Sequence, residues 1–186
     1  MSSKKVDWKE WIRTIIITVA VFLLLRIFIV MPIVVEGPSM EPTLQNSDRL
    51  IVEKVSKHFT DIQRFDVIVF HATSTRDYIK RVIGLPGETI AYRNDKLYVN
   101  DEFVEEPFLA EAKQHLAEEE SYTTDFTLAE DVPGNYETIP EGYVFVLGDN
   151  RPDSTDSRRL GLIPIEQVVG QALFTYWPIN SWQWIE

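Results

Sequence analysis

An apolar run near the N-terminus constrains this chain more than any other feature. Residues 15–25 read Ile-Ile-Ile-Thr-Val-Ala-Val-Phe-Leu-Leu-Leu, and after Arg26 the apolar character continues from Ile27 to Val35 with Pro32 inside it. As a helix, Ile12 to Met31 would span about 30 Å, the thickness of a bilayer core. The charged flank is N-terminal, with Lys4, Lys5, Lys9 and Arg13 against Asp7 and Glu10. That excess of Lys and Arg predicts a cytoplasmic N-terminus and an exported remainder. Trp8 and Trp11 suit the interface on the same side. Arg26 lies close enough to the far end to snorkel outward, avoiding the roughly 2.5–3.5 kcal/mol cost of a charge at the centre. A cleavable leader would start in the same way but end on an A-x-A-type site. None follows here, the nearest small-residue stretch being Val35-Glu36-Gly37 ahead of Pro38. The expectation is a cytoplasmic segment 1–11, an uncleaved single-pass anchor 12–31, and an extracytoplasmic domain beyond it.

Past the anchor the pattern changes to short β-like runs. Ile33–Val35, Arg49–Val55 and Phe65–Phe70 are the first three. Tyr78 to Ile83 alternates, with Tyr78, Lys80 and Val82 on one face and Ile79, Arg81 and Ile83 on the other. Leu85-Pro86-Gly87-Glu88 reads as a turn, and Thr89–Tyr92 with Lys96–Val99 flank Arg93-Asn94-Asp95 as a hairpin. Gly142–Leu147 and Gln171–Trp177 are strand-like again. The fold class expected is mainly β: a transmembrane helix, then a domain of β-barrel or folded-sheet type over 32–100 and 142–186. A small α+β insertion occupies 101–141, with a short helix expected within Phe108–Glu120.

Charge separates that insertion from the rest. Residues 101–141 hold 13 acidic side chains and one basic one, Lys113, a net −12; the other residues together carry +1, which accounts for the chain's −11. The negative balance argues against nucleic acid, which demands a basic surface. The near-neutral remainder can lie on an anionic membrane without repulsion, and the acidic lobe belongs away from the lipid.

The chain has no cysteine, and its histidines are only His58, His71 and His115. Thiol catalysis, disulfides and Cys-type metal sites are excluded, and chemistry built on several histidines has little to work with. No metal or other cofactor is expected. A lysine can replace histidine as general base if burial lowers its pKa, and a serine within hydrogen-bond reach then becomes the nucleophile. Gly37-Pro38-Ser39-Met40-Glu41-Pro42-Thr43-Leu44 places Ser39 in a turn just outside the membrane, its amide able to face a developing oxyanion. Asp77-Tyr78-Ile79-Lys80-Arg81-Val82-Ile83-Gly84-Leu85-Pro86-Gly87-Glu88 places Lys80 in an apolar strand. The third polar segment is Leu147-Gly148-Asp149-Asn150-Arg151-Pro152-Asp153-Ser154-Thr155-Asp156-Ser157-Arg158. Its acidic spacing does not fit an EF-hand loop.

These three segments, in this order after an N-terminal anchor, resemble bacterial type I signal peptidase, in the short form typical of Gram-positive bacteria. The resemblance covers nearly the whole chain from the anchor onward. It implies a membrane-bound Ser-Lys endopeptidase that cuts signal peptides from exported preproteins after small residues, with Ser39 as nucleophile and Lys80 as general base. By motif position, Ser154 matches a serine that hydrogen-bonds and orients the lysine. Asp149, Arg81, Asp156 and Arg158 match residues that brace the site, and Met40 one packed beside the nucleophile. Ile33, Val35, Tyr78 and Ile79 are candidates for the substrate pocket. The chain departs from some relatives at Gly37, where they carry a hydroxyl residue that completes the oxyanion hole.

The partners expected are signal-peptide-bearing preproteins and the lipid bilayer, with the enzyme a monomer in the bacterial cell membrane. Two rival readings follow from the same residues. One is a self-cleaving SOS-repressor-like protease, against which the anchor and the missing DNA-binding head count. The other is a membrane-anchored, non-catalytic preprotein-binding or chaperone module that uses the acidic lobe.

Overall fold

The computed structural model describes residues 8–28, 30–54, 62–114, 116–117 and 120–185, without the side chains of 24–28. Lys4, Lys5 and Asp7 of the expected flank, and Val55 at the end of an expected strand, lie outside the described residues. The apolar run forms helix α1 (Trp8–Phe28), and strand β1 (Val30–Val34) follows at once. The expected anchor therefore changes from helix to strand before its end at Met31. Pro32 inside the run cannot donate to a helix, and β1 pairs antiparallel with β2 (Arg49–Glu53) instead. Among the described residues no helix is long and apolar enough to cross a membrane.

The larger sheet is antiparallel throughout. Its other strands are β3 (Val67–Thr73), β4 (Arg76–Gly84), β9 (Tyr143–Leu147), β10 (Ile163–Pro164), β11 (Val168–Trp177) and β12 (Gln183–Trp184). They run in the order β1-β2-β11-β3-β4-β9-β10, with β12 also on β11. The barrel alternative is corrected here: among the described residues no barrel closes. Both edge strands carry a proline, Pro32 in β1 and Pro164 in β10, and a residue without an N–H cannot extend a ladder. The sheet buries both faces. Val67 and Val69 pack with Val35, Met40 and Leu50, while the alternate residues Ile68 and Phe70 pack with Val82, Val144 and Val146. An almost unbroken apolar β3 follows from that double burial.

The second sheet has the order β7-β6-β5-β8, from β5 (Ile90–Arg93), β6 (Lys96–Val99), β7 (Glu102–Val104) and β8 (Phe126–Thr127). Asn94 and Asp95 join β5 to β6 with φ of 51° and 59°, the left-handed pair that a two-residue hairpin turn needs. The boundary expected at 101 thus falls inside a sheet that begins at Ile90. The helix expected within Phe108–Glu120 is shorter than that span. It is a 3-10 turn (Pro107–Leu109) and one helical turn, α2 (Ala110–Lys113), held by buried Leu109, and His115, Glu118 and Glu119 lie outside the described residues. Helices α3 (Leu128–Asp131) and α4 (Ser157–Leu160) are also single turns. Ile83, Phe145 and Leu147 of the large sheet join Ile90, Tyr92, Leu97 and Phe126 of the second in one core.

Candidate active site

Ser39 sits in the turn between β1 and β2. Gly37, at φ 89°, turns the chain in the left-handed region, and its N–H donates to Asn46 Oδ1 at 2.9 Å. Met40, 1% exposed, pins the turn to the core beside Val35 and Leu44. Lys80 comes from β4 and is 3% exposed. Its Nζ donates to Ser39 Oγ at 2.7 Å and to the Ile79 carbonyl at 2.8 Å. Burial lowers the Lys80 pKa to about 8, against the opposing pull of the Asp156 and Asp149 charges. At that value much of the lysine is neutral in mildly alkaline solution. The same 2.7 Å line then serves a hydroxyl proton moving from Ser39 to the amine.

The loop 148–158 backs this pair. Asn150 donates its N–H to the Ser39 carbonyl at 3.1 Å and its Nδ2 to the Pro38 carbonyl at 3.2 Å. A Cβ on Gly148 would stand 2.4 Å from the Ser39 carbonyl oxygen and 2.2 Å from Ser154 Oγ, so only glycine lets the loop approach this closely. Asp149 accepts two bonds from Arg81, at 3.0 and 2.8 Å, and one from Thr43 Oγ1 at 2.6 Å, with the Arg81 and Asp149 side chains both wholly buried. Arg158 Nη2 meets Asp156 at 2.8 Å, and Asp156 Oδ2 accepts the Gly148 N–H at 3.1 Å. The Asp156 carboxyl lies below its usual range: burial pushes it up, but the bonds and charge of Arg158 and the Gly148 N–H outweigh that.

The structure brings Ser39, Met40, Lys80, Arg81, Asp149, Asp156 and Arg158 together in one place. Ser154 does not take the expected role toward the lysine. Its buried Oγ makes no hydrogen bond of normal geometry, because Nζ is directed to Ser39 and Ile79 and the serine lies over Gly148 toward Asp156. An open cleft of about 700 Å³ runs past the pair, and Ile33, Val35, Tyr78 and Ile79 all line it. Met31, Glu36, Arg76, Asp77 and Asp153 line it too, and sequence reasoning did not find them. It also missed Asn150, which stood inside a recognised segment, and Tyr122, whose hydroxyl donates to the Asp149 carbonyl at 3.0 Å with no local signal to mark it. Among the described residues no three His, Asp or Glu side chains converge as metal ligands would.

Comparison with known proteins gives consistent matches. The family described as signal peptidase, peptidase S26 matches residues 8–177. The chain is 51% identical to a signal peptidase I of Bacillus caldolyticus over 165 residues, 89% of each chain. It is 37% identical to signal peptidase IB of Staphylococcus aureus (strain MRSA252), over 97% of this chain and 95% of that protein. A crystal structure of a signal peptidase I from Enterococcus faecalis V583 superposes with a TM-score of 0.57 at 46% identity, covering 60% of this chain and 96% of that one.

Proposed function

The chain belongs to the signal peptidase family, peptidase S26, and on that premise we propose that Ser39 is its nucleophile and Lys80 its general base. The enzyme is a serine peptidase that removes signal peptides from preproteins. The observation that carries the residue assignment is the 2.7 Å contact between Lys80 Nζ and Ser39 Oγ, with the lysine buried and its pKa lowered to about 8.

Neutral Lys80 accepts the Ser39 proton as Oγ attacks the scissile carbonyl. The resulting oxyanion takes the Ser39 N–H; the Gly37 N–H is engaged by Asn46, so the second donor comes from elsewhere. Lys80 returns the proton to the leaving amine, which departs and leaves an acyl-enzyme on Ser39. Lys80 then activates the water that hydrolyses the ester. The non-catalytic alternative gives no role to that short Ser-Lys contact.

Substrate enters as an extended strand. β4 pairs with β9 only from Arg81 onward, so among the described residues its outer half beside the cleft has a free edge on that side. Ile33, Val35, Tyr78 and Ile79 narrow the cleft to small side chains at the first and third positions before the cut.

The segment 12–31 anchors the enzyme, with the N-terminus cytoplasmic and the catalytic domain outside. Support comes from Ile15, Ile16, Ile17 and Phe22, which leave roughly half or more of their surface uncovered by protein. Ser39 follows Met31 by only eight residues, which keeps the nucleophile near the depth at which a membrane-held signal peptide presents its cleavage site. The enzyme acts there as a monomer. The test is cleavage of a purified preprotein, with the cut mapped by mass. Cleavage after an A-x-A-type site is expected, together with its loss in Ser39→Ala and Lys80→Ala; a near wild-type rate in either variant overturns the assignment.

A further inference from the structure

The second sheet and the acidic stretch meet the 148–151 loop from behind. Arg151 reaches out of that loop into them and is fully buried. Its Nη2 donates to Glu106 Oε1 at 2.6 Å, with the two side chains 0% and 4% exposed. Its Nη1 donates to the Tyr92 hydroxyl and, at 3.2 Å, to Thr123 Oγ1. Tyr92 in turn donates to Glu106 Oε1 at 2.6 Å. On the other side of the same guanidinium, Nε donates to the Gly148 carbonyl at 3.0 Å. Tyr122 holds the next carbonyl, that of Asp149, at 3.0 Å, and the Phe108 ring lies 4.0 Å from the Arg81 guanidinium.

Glu106, Phe108, Tyr122 and Thr123 all come from the stretch that carries the acidic charge, which as a surface lobe would have no part in the site. A desolvated guanidinium with a fixed fork of donors tolerates little displacement, so moving its carboxylate moves the loop. That loop touches the nucleophile directly, through Asn150 N to the Ser39 carbonyl. The continuous path is Glu106, Arg151, Gly148 and Asn150 to Ser39. A shift of about 1 Å in a reacting group can cost about a hundredfold in rate.

We propose that Glu106 and Tyr122 are positioning residues for the reaction, setting the Ser39–Lys80 geometry through the 148–151 loop. The proposal rests on the dyad assignment above. It is tested on the full chain in detergent with a purified preprotein, comparing Glu106→Gln, Tyr122→Phe, the exposed control Glu111→Gln, and Ser39→Ala. Circular dichroism establishes the folded fraction at the assay temperature. Glu106→Gln and Tyr122→Phe should each lower kcat about tenfold, the size of one directed hydrogen bond, at unchanged KM. Glu111→Gln should match the wild type. A kcat within about twofold of wild type in both variants, or a loss that appears in KM or in the folded fraction alone, overturns the positioning role. An active Ser39→Ala would instead remove the dyad assignment on which it rests, whereas an inert Ser39→Ala beside unimpaired Glu106→Gln and Tyr122→Phe removes the positioning role alone.

Discussion

Arg81–Asp149 and Arg93–Asp101 are the same chemical pair in two regions that use it differently. The first joins strand β4 to the loop after β9 at 2.8 Å, with both side chains sealed from water. The second sits on the outer sheet at 3.1 Å, with side chains 53% and 79% exposed. In water an ion pair is screened and worth little; under burial, removing one partner strands the other charge. The difference lies in where the pair can act on position. Asp149 also holds Thr43, in the turn that carries Ser39, and its neighbour Asn150 holds Ser39 itself. Asp101 meets Arg93 on the outer sheet.

The sharpest way to break this contrast is to remove the buried carboxylate. Asp149→Ala should lower the unfolding free energy by about 3–5 kcal/mol, read from a urea titration, because the buried Arg81 charge loses the carboxylate that takes two of its hydrogen bonds. A loss no larger than that of a surface substitution would show that burial is not what gives the pair its weight.

A smaller effect reads the same buried charges through the lysine. Cleavage should rise with pH through a midpoint near about 8, as Lys80 loses its proton. The Asp156 charge raises the Lys80 pKa, so Asp156→Asn should move that midpoint to lower pH. A pH–rate profile measured on folded enzyme tests this, and a shift to higher pH would contradict the electrostatic reading.

The smallest effect belongs to the exposed pair. Asp101→Asn, which suits the φ of 63° at this position as aspartate does, should change stability by less than about 0.5 kcal/mol and leave cleavage unaltered. A larger change would mean that the outer sheet is coupled to the site by more than the Glu106 and Tyr122 contacts.

Legibility from the sequence followed distance along the chain. The β5–β6 hairpin was readable because Arg93-Asn94-Asp95 supplies the left-handed turn locally. The strands β3 and β9 are readable because their apolar runs are contiguous, and β4 from the alternation of Tyr78 to Ile83. The helix expected within 108–120 proved shorter, since good helix formers alone do not sustain a helix with so little to bury. Charge places a boundary at Asp101, whereas the sheet that holds the acidic stretch begins at Ile90, where the charge pattern has nothing to mark. Ser154 was placed by motif position toward the lysine, but Nζ spends its bonds elsewhere.

The sequence by itself determined which residue types stand in the three segments, the absence of cysteine, the acidic concentration in 101–141 and the mainly β character. These are properties of composition and near-neighbour pattern, which chain order contains in full. Only the tertiary structure decided that burial lowers the Lys80 pKa to about 8 and that the lysine meets Ser39 across 41 residues. It alone brought Glu106 to Arg151 across 45 residues and Tyr122 to Asp149 across 27. Desolvation and hydrogen-bond direction depend on what surrounds a group in space, and no local pattern encodes the neighbours that folding brings in.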